Sequence, residues 1–197
     1  MRKCFLVAFI LLIVDMLSGC GVKTSSQSFL REDAELGFVQ MVAVLPFENH
    51  SKDEFAAARA RDFTITQGLA MGLFDIVDKG LVDSVLQEEV IEPGAPLDES
   101  ITKRLGQRLK VQAILLGAVD YAEEGKRGNF AFPELSLTMR LVDVDTAVIL
   151  WQASGHGSGY CLWKRLFGLA PRDIFQVGLA TIEDIPVSYT HLRAHET

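Results

Sequence analysis

Apolar residues in this chain come in short blocks whose spacing switches between strand-like and helix-like periods. Residues 39–47, VQMVAVLPF, form a β-branched run closed by Pro46 and predict a buried strand. A polar turn over 48–52 follows, with Ser51 or Asp53 placed to cap a helix over 54–73. Ile65, Leu69 and Leu73 recur there at every fourth position, which makes one apolar stripe. Residues 74–78, FDIVD, predict a second short strand. Leu81, Val82, Val85, Leu86 and Val90 then mark an amphipathic helix, the PGAP run at 93–96 breaks it, and Asp98 caps a third helix carrying Ile101, Leu105 and Leu109.

Beyond residue 112 the pattern turns to strands. Residues 113–121, AILLGAVDY, are strongly apolar, and 122–133 reads as a charged, glycine-bearing loop. Leu135, Leu137, Met139 and Leu141 alternate with polar residues at the period of a half-buried strand. Residues 143–146, DVDT, read as a hairpin turn into a strand over 147–153. Residues 155–159, GHGSG, read as a flexible loop, and 166–185 as a final helix. The order β-α-β-α-α-β-β-β-α predicts an α/β fold, a single-domain α/β sandwich with a mixed sheet over residues 39–186.

The two ends follow other rules. Arg2 and Lys3 precede the apolar run FLVAFILLIV at 5–14, which is shorter than the roughly 20 residues a spanning helix needs and fits a secretory signal. Asp15 places a charge at its edge. Leu17-Ser18-Gly19-Cys20 resembles the bacterial lipobox. That resemblance implies a signal peptide over 1–19, cleavage before Cys20, and covalent diacylglycerol and N-acyl chains on Cys20. No other cofactor is implied. Two or more acyl chains anchor a protein stably, at about 0.8 kcal/mol per buried methylene. Residues 20–38 read as a lipidated tether. At the other end, residues 187–197, VSYTHLRAHET, resemble translated sequencing-library adaptor, so His191 and His195 are set aside as ligands or bases.

Removing residues 1–19 and 187–197 takes away three basic and two acidic residues, leaving 16 and 24, a net charge of −8. An acidic surface disfavours nucleic acid, which calls for a basic stripe, and leaves anchoring to the lipid. The remaining 167 residues suffice for one domain with a real core. Cys4 leaves with the signal and Cys20 is acylated, so Cys161 stands alone and no internal disulfide is expected. No Cys/His spacing suggests zinc.

Four places carry a resemblance to the CsgG-like (curli assembly) and TolB N-terminal-domain-like envelope lipoprotein families. They are VAVLPFEN at 42–49, FDIVD at 74–78, LGQRLKVQAILLG at 105–117 and LVDVDTAVILW at 141–151. Pro46, Gly106, Gly117 and Trp151 read there as fold determinants. The resemblance implies a periplasmic domain. Gly21 stands where an aspartate would retain a lipoprotein in the inner membrane, which points to the periplasmic face of the outer membrane. The curli channel forms its pore from long hairpins; a spanning strand needs roughly 9–11 residues. The twelve residues 122–133 are too few for such a hairpin unless the flanking strands lengthen into them.

Candidate chemistry is sparse. In GHGSG the third glycine comes too early for a dinucleotide fingerprint, and His156 and Tyr160 stand where a nucleophile elbow around Ser158 needs glycines. His50 and His156 lack a third ligand at useful spacing, and Asp143 and Asp145 fit a turn better than a metal. Tyr160, Trp163, Lys164, Arg165 and Phe167, crowded with Leu162 and Leu166, form the candidate partner-binding segment, against the alternative of a helix start packed on the sheet. The expectation is a non-enzymatic, lipid-anchored scaffold or accessory component of outer-membrane assembly or secretion. Its partners would be the membrane, envelope proteins or further copies of itself. The alternatives are a regulator of a cell-wall synthase, as LpoB-type lipoproteins are, and an envelope hydrolase.

Overall fold

The computed structural model describes residues 23–31, 36–72, 74–128, 130–160 and 174–183, and side-chain alternation along its strands sorts them into two apolar layers flanking one sheet. In chain order the elements are β1 (Lys23–Leu30), a single 3-10 turn (Leu36–Phe38), β2 (Met41–Val44), β3 (Glu48–Asn49) and α1 (Ala56–Met71). There follow β4 (Asp75–Ile76), α2 (Lys79–Glu88), α3 (Glu99–Leu109), β5 (Ala113–Arg127), β6 (Phe130–Asp143), β7 (Ile149–Ser158) and α4 (Ile174–Glu183). The fold is α/β with one mixed, seven-stranded sheet in the order β1-β7-β6-β5-β2-β4, and β3 adds to β5. β2 runs parallel to β4 and β5, whereas β5, β6, β7 and β1 pair antiparallel.

The expected strand over 39–47 shows the sorting. Val42 and Val44 face a core shared with Ala60 and Phe63 of α1 and Val177 of α4. Ala43 and Leu45 face a second core with Val82, Val85 and Leu86 of α2 and Leu105 and Leu109 of α3. Helices therefore cover both faces of the parallel half, as parallel strands require. The expected alternation over Leu135, Leu137, Met139 and Leu141 is present, all four buried in the first core. The opposite face of that antiparallel half is polar: Thr138 donates its hydroxyl to Asp120 at 2.9 Å and lies 3.0 Å from the Ser154 hydroxyl.

Local chemistry sets the element ends. Asp98 caps α3 by accepting from the Ile101 amide at 2.7 Å, and Asp78 caps α2 by accepting from Leu81 at 3.1 Å. Asp53 serves the turn before α1 and does not cap it: its carboxylate accepts from the Phe55 amide and pairs with Arg59. Asp143 organises the β6–β7 turn through its Oδ1, which accepts from the amides of Asp145 and Thr146 and from the Thr146 hydroxyl. Arg61, 3% exposed, ties the two cores together by donating Nε and Nη2 to the Val44 carbonyl and Nη1 to Asp83.

Three expectations need correction. Residues 23–30, assigned to the tether, form β1, which pairs with β7 from Lys23↔Ser158 to Leu30↔Trp151. Its sequence KTSSQSFL shows no apolar alternation because an edge strand is held chiefly by its backbone bonds. The loop assigned to 122–133 is the far part of the β5–β6 hairpin, paired without a break to Arg127↔Phe130. The flexible loop assigned to 155–159 lies mostly within β7. Its central glycine is there for packing: a Cβ on Gly157 would overlap the Thr181 hydroxyl of α4. Gly117 and Gly106 do the same work elsewhere, since a Cβ would meet the Phe47 ring at 2.5 Å and Val144 at 2.6 Å respectively. Of the final helix expected over 166–185, Ile174–Glu183 lies among the described residues.

Replacing Gly157 with valine should force α4 off the sheet and destabilise the domain by about 1–3 kcal/mol or more, the usual cost of overpacking. Urea unfolding of the two proteins measures it; an unchanged midpoint would contradict the packing described.

Candidate interaction surfaces

Ligands of open parallel sheets bind beyond the carboxyl ends of the strands, where the connections switch faces. Here that point lies between β2 and β5, because the chain passes over α1 to β4 and then returns through α2 and α3 to β5. The chain fills this place itself. Leu45 donates to the Leu115 carbonyl, Phe47 seats on Gly117, and β3 continues the pairing at Glu48↔Ala118 and Asn49↔Val119. Arg61 takes the carbonyl at the end of β2. Beside it lie a small cleft lined by Leu45, Pro46, Glu48, Gly94, Gly117 and Arg140, and an open pocket of about 370 Å³ between Pro46 and the Asp83, Leu86 and Val90 side of α2. Among the described residues no group of three or more His, Cys, Asp or Glu could hold a metal ion.

Electrostatics adds one clamp near this cleft. Glu89, at the C-terminus of α2, accepts from Arg108 at 2.9 Å and Arg104 at 2.7 Å, both on α3, and Arg108 also pairs with Glu88. The hydrogen bonds from Arg108 and then Arg104 hold the Glu89 carboxyl below its ordinary value. Those to Glu88 and Glu89 raise the Arg108 guanidinium. This links two helices and offers no open cation to a ligand.

A different surface forms at the end of the sheet where β1 begins. Lys23 lies opposite Ser158, and Ser158 opposite Glu134, so the start of β1, the end of β7 and the base of the β5–β6 hairpin share one level. Past it the Gly159 amide donates to the Pro133 carbonyl at 2.8 Å, and the hairpin continues as two strands to Arg127↔Phe130. Gly128 turns the chain at φ 67°. Tyr160 stands here, half-buried, its ring edge-on to Phe132 at 5.1 Å and 64°. Glu123 opposes Glu134 across the hairpin, and Lys52 relieves that like-charge pair with a 3.1 Å contact to Glu123.

Of the residues singled out from sequence, Tyr160 is thus placed beside the hairpin. Cys20, Trp163, Lys164, Arg165 and Phe167 lie outside the described residues. His156 and Ser158 sit two apart on one sheet face, His156 opposite Ser136 and Ser25, while the Ser158 hydroxyl accepts from the Tyr160 amide at 3.3 Å. His50 is exposed, 3.5 Å from Glu48. The hairpin escaped the sequence reading although Gly128-Asn129 is a two-residue hairpin signature; the charges around it masked the strands.

No family model matches the chain, and no curated protein is similar to it in sequence. Solved structures share its fold. The PelC dodecamer from Paraburkholderia phytofirmans aligns at 17% identity and TM-score 0.58, over 83% of this chain and 94% of that one. Lipoprotein GNA1162 from Neisseria meningitidis aligns at 18% identity and TM-score 0.50, over 66% of this chain and 90% of that one. LpoB from E. coli aligns at 19% identity and TM-score 0.47, over 61% and 58%, too loosely to bear on a role. The fold is therefore one that bacterial lipoproteins use. No helix among the described residues is long and apolar enough to cross a membrane.

The Glu89 clamp has a pH signature. A carboxyl held low in the folded state stabilises it at pH values above the ordinary glutamate range and loses that effect as pH falls through the lowered value. The melting-temperature advantage of the natural protein over Glu89→Gln should be constant from pH 6 to 8 and shrink below about pH 4.3. Thermal melts across that range check it; an advantage that grows on acidification would contradict the clamp.

Proposed function

We propose that the protein is a lipid-anchored, non-enzymatic periplasmic component of outer-membrane assembly or secretion. It is held on the periplasmic face of the outer membrane by acyl chains on Cys20 and acts through self-association or contact with envelope proteins. The observation that carries this reading is the place of β1. An edge strand of the folded domain begins at Lys23, three positions after the lipobox cysteine, so an acylated Cys20 would hold the domain close to the membrane. The likeness in fold to a protein that forms a dodecamer, across nearly the whole of that chain, supports self-association. Phe47 and β3 pack against β5 beyond the end of β2, so the chain itself takes up part of the switch point where such sheets bind substrates, which supports a scaffold. The segments 42–49, 74–78, 105–117 and 141–151 resemble CsgG-like and TolB N-terminal-like families, and that resemblance supports the reading.

A regulator of a wall synthase needs a long tether, and β1 leaves only Gly21 and Val22 between Cys20 and the sheet. A pore needs spanning strands, and the hairpin, long as it is, has only the residues from Glu134 to Phe130 and their partners beyond the level of β1. That is about half of the roughly 9–11 residues a spanning strand requires.

The decisive measurement is the native mass of the detergent-extracted, lipidated protein. A closed ring of many copies is expected, and a monomer or dimer would overturn the ring and move the weight to a regulator acting through a partner. Cys20→Ala should shift the protein from the membrane fraction to the soluble periplasmic fraction; retention in the membrane would refute the anchor.

A further inference from the structure

We propose that the β5–β6 hairpin is a second membrane contact: its tip, where Lys126 is exposed, rests on the anionic headgroups of the bilayer that holds Cys20. This rests on the lipid-anchor reading of Cys20. The argument is one of reach. Lys23 is three Cα steps from Cys20, so whatever path Gly21 and Val22 take, the two Cα atoms are at most about 11 Å apart. A lipidated Cys20 sits at the headgroups, and the start of β1 is therefore confined to within that distance of the surface.

The sheet then fixes what else lies at that depth. Through the register Lys23↔Ser158↔Glu134, the start of β1 is level with Glu134 of β6. From Glu134 the hairpin runs four more residues to Phe130, about 14 Å at the rise of a strand, before it turns at Gly128. β6 runs parallel to β1 through β7, so in the orientation where β1 leads away from the bilayer the hairpin tip points toward it. Its reach past Lys23 is at least as great as the slack of the chain to Cys20.

The charges along the hairpin fit such a place. The acids Glu123, Glu124 and Glu134 lie at its base, where Lys52 meets Glu123. The last two residues of β5 before the turn are Lys126, which is exposed, and Arg127. In an otherwise acidic chain this puts a positive tip on the negative surface of a bilayer, held off by the acidic base from sinking further. The tip is too short to span, as derived above, and long enough to touch. The domain would thus stand on two points, the acyl chains below β1 and the hairpin below β5 and β6, with the Asp143–Thr146 turn at the far end of the sheet.

The test places a polarity-sensitive fluorophore at Ala131→Cys, opposite Lys126, or at Thr146→Cys, each with Cys161→Ser, in full-length lipidated protein. The protein is reconstituted into vesicles of phosphatidylcholine and phosphatidylglycerol containing a headgroup-quencher lipid. Mass spectrometry of the N-terminal peptide first reports whether Cys20 is acylated. In acylated protein, quenching at residue 131 should exceed that at residue 146 at least threefold, and replacing phosphatidylglycerol with phosphatidylcholine should reduce it. Equal quenching at the two sites, or greater quenching at 146, overturns the hairpin contact while leaving the anchor intact. An unmodified Cys20 overturns the anchor reading and this proposal with it.

Discussion

β5 has to satisfy two kinds of pairing at once, parallel on one edge and antiparallel on the other, and the rest of the structure follows from how it does so. Its first residues pair in parallel with β2 and its whole length pairs antiparallel with β6. Burial on both faces near Ala113–Leu115 makes this segment a continuous apolar run, with Ile114 in the core under α2 and α3 and Leu115 in the core under α1. Beyond Val119 the register shifts and the strand emerges from beneath its helices. Gly117 sits between these regimes, and the room it leaves is taken by Phe47. That contact joins the parallel and antiparallel halves, and it occupies part of the place where such sheets bind ligands.

The elements legible in the sequence are those whose formation depends on side-chain burial. The helices with Val82, Val85 and Leu86 and with Leu105 and Leu109 announce themselves by spacing, and Asp98 and Asp143 by the backbone amides they were expected to satisfy. The strand over Leu135–Leu141 alternates because one of its faces is core and the other is polar. Helix α1 is less regular, since Arg61 and Thr64 are buried within it, bonded to Val44 and to the Ala60 carbonyl.

What was illegible shares one physical cause. β1, the far hairpin and the GHGSG segment are strands held by backbone pairing or shaped by a neighbour, so their side chains carry little periodic signal. Glycine in a strand usually reads as a break, yet Gly157 is required by a helix that comes later in the chain, through Val177 and Thr181. Lys126, Arg127 and the glutamates read as a solvated loop because no core face constrains them. A long-range contact can thus dictate a residue while leaving no trace in its local pattern. The same limit applies to the candidate surface: Tyr160 was marked by its aromatic company, whereas its observed neighbour is Phe132, twenty-eight residues earlier.

These misreadings bear on function, because they concern the end of the domain that adjoins Cys20. A tether of eighteen residues would let the domain diffuse through a large volume and meet partners at any orientation. With the anchor proposed at Cys20, a strand beginning at Lys23 would remove most of that freedom of height, and the entropy lost at anchoring would not be lost again when copies meet side by side. Subunits held at one height by such an anchor would meet at high effective concentration, and modest lateral contacts would then be enough for assembly on a surface, where free domains in solution require a much larger interface. The short span from Cys20 to β1 thus adds to the case for the proposed self-association.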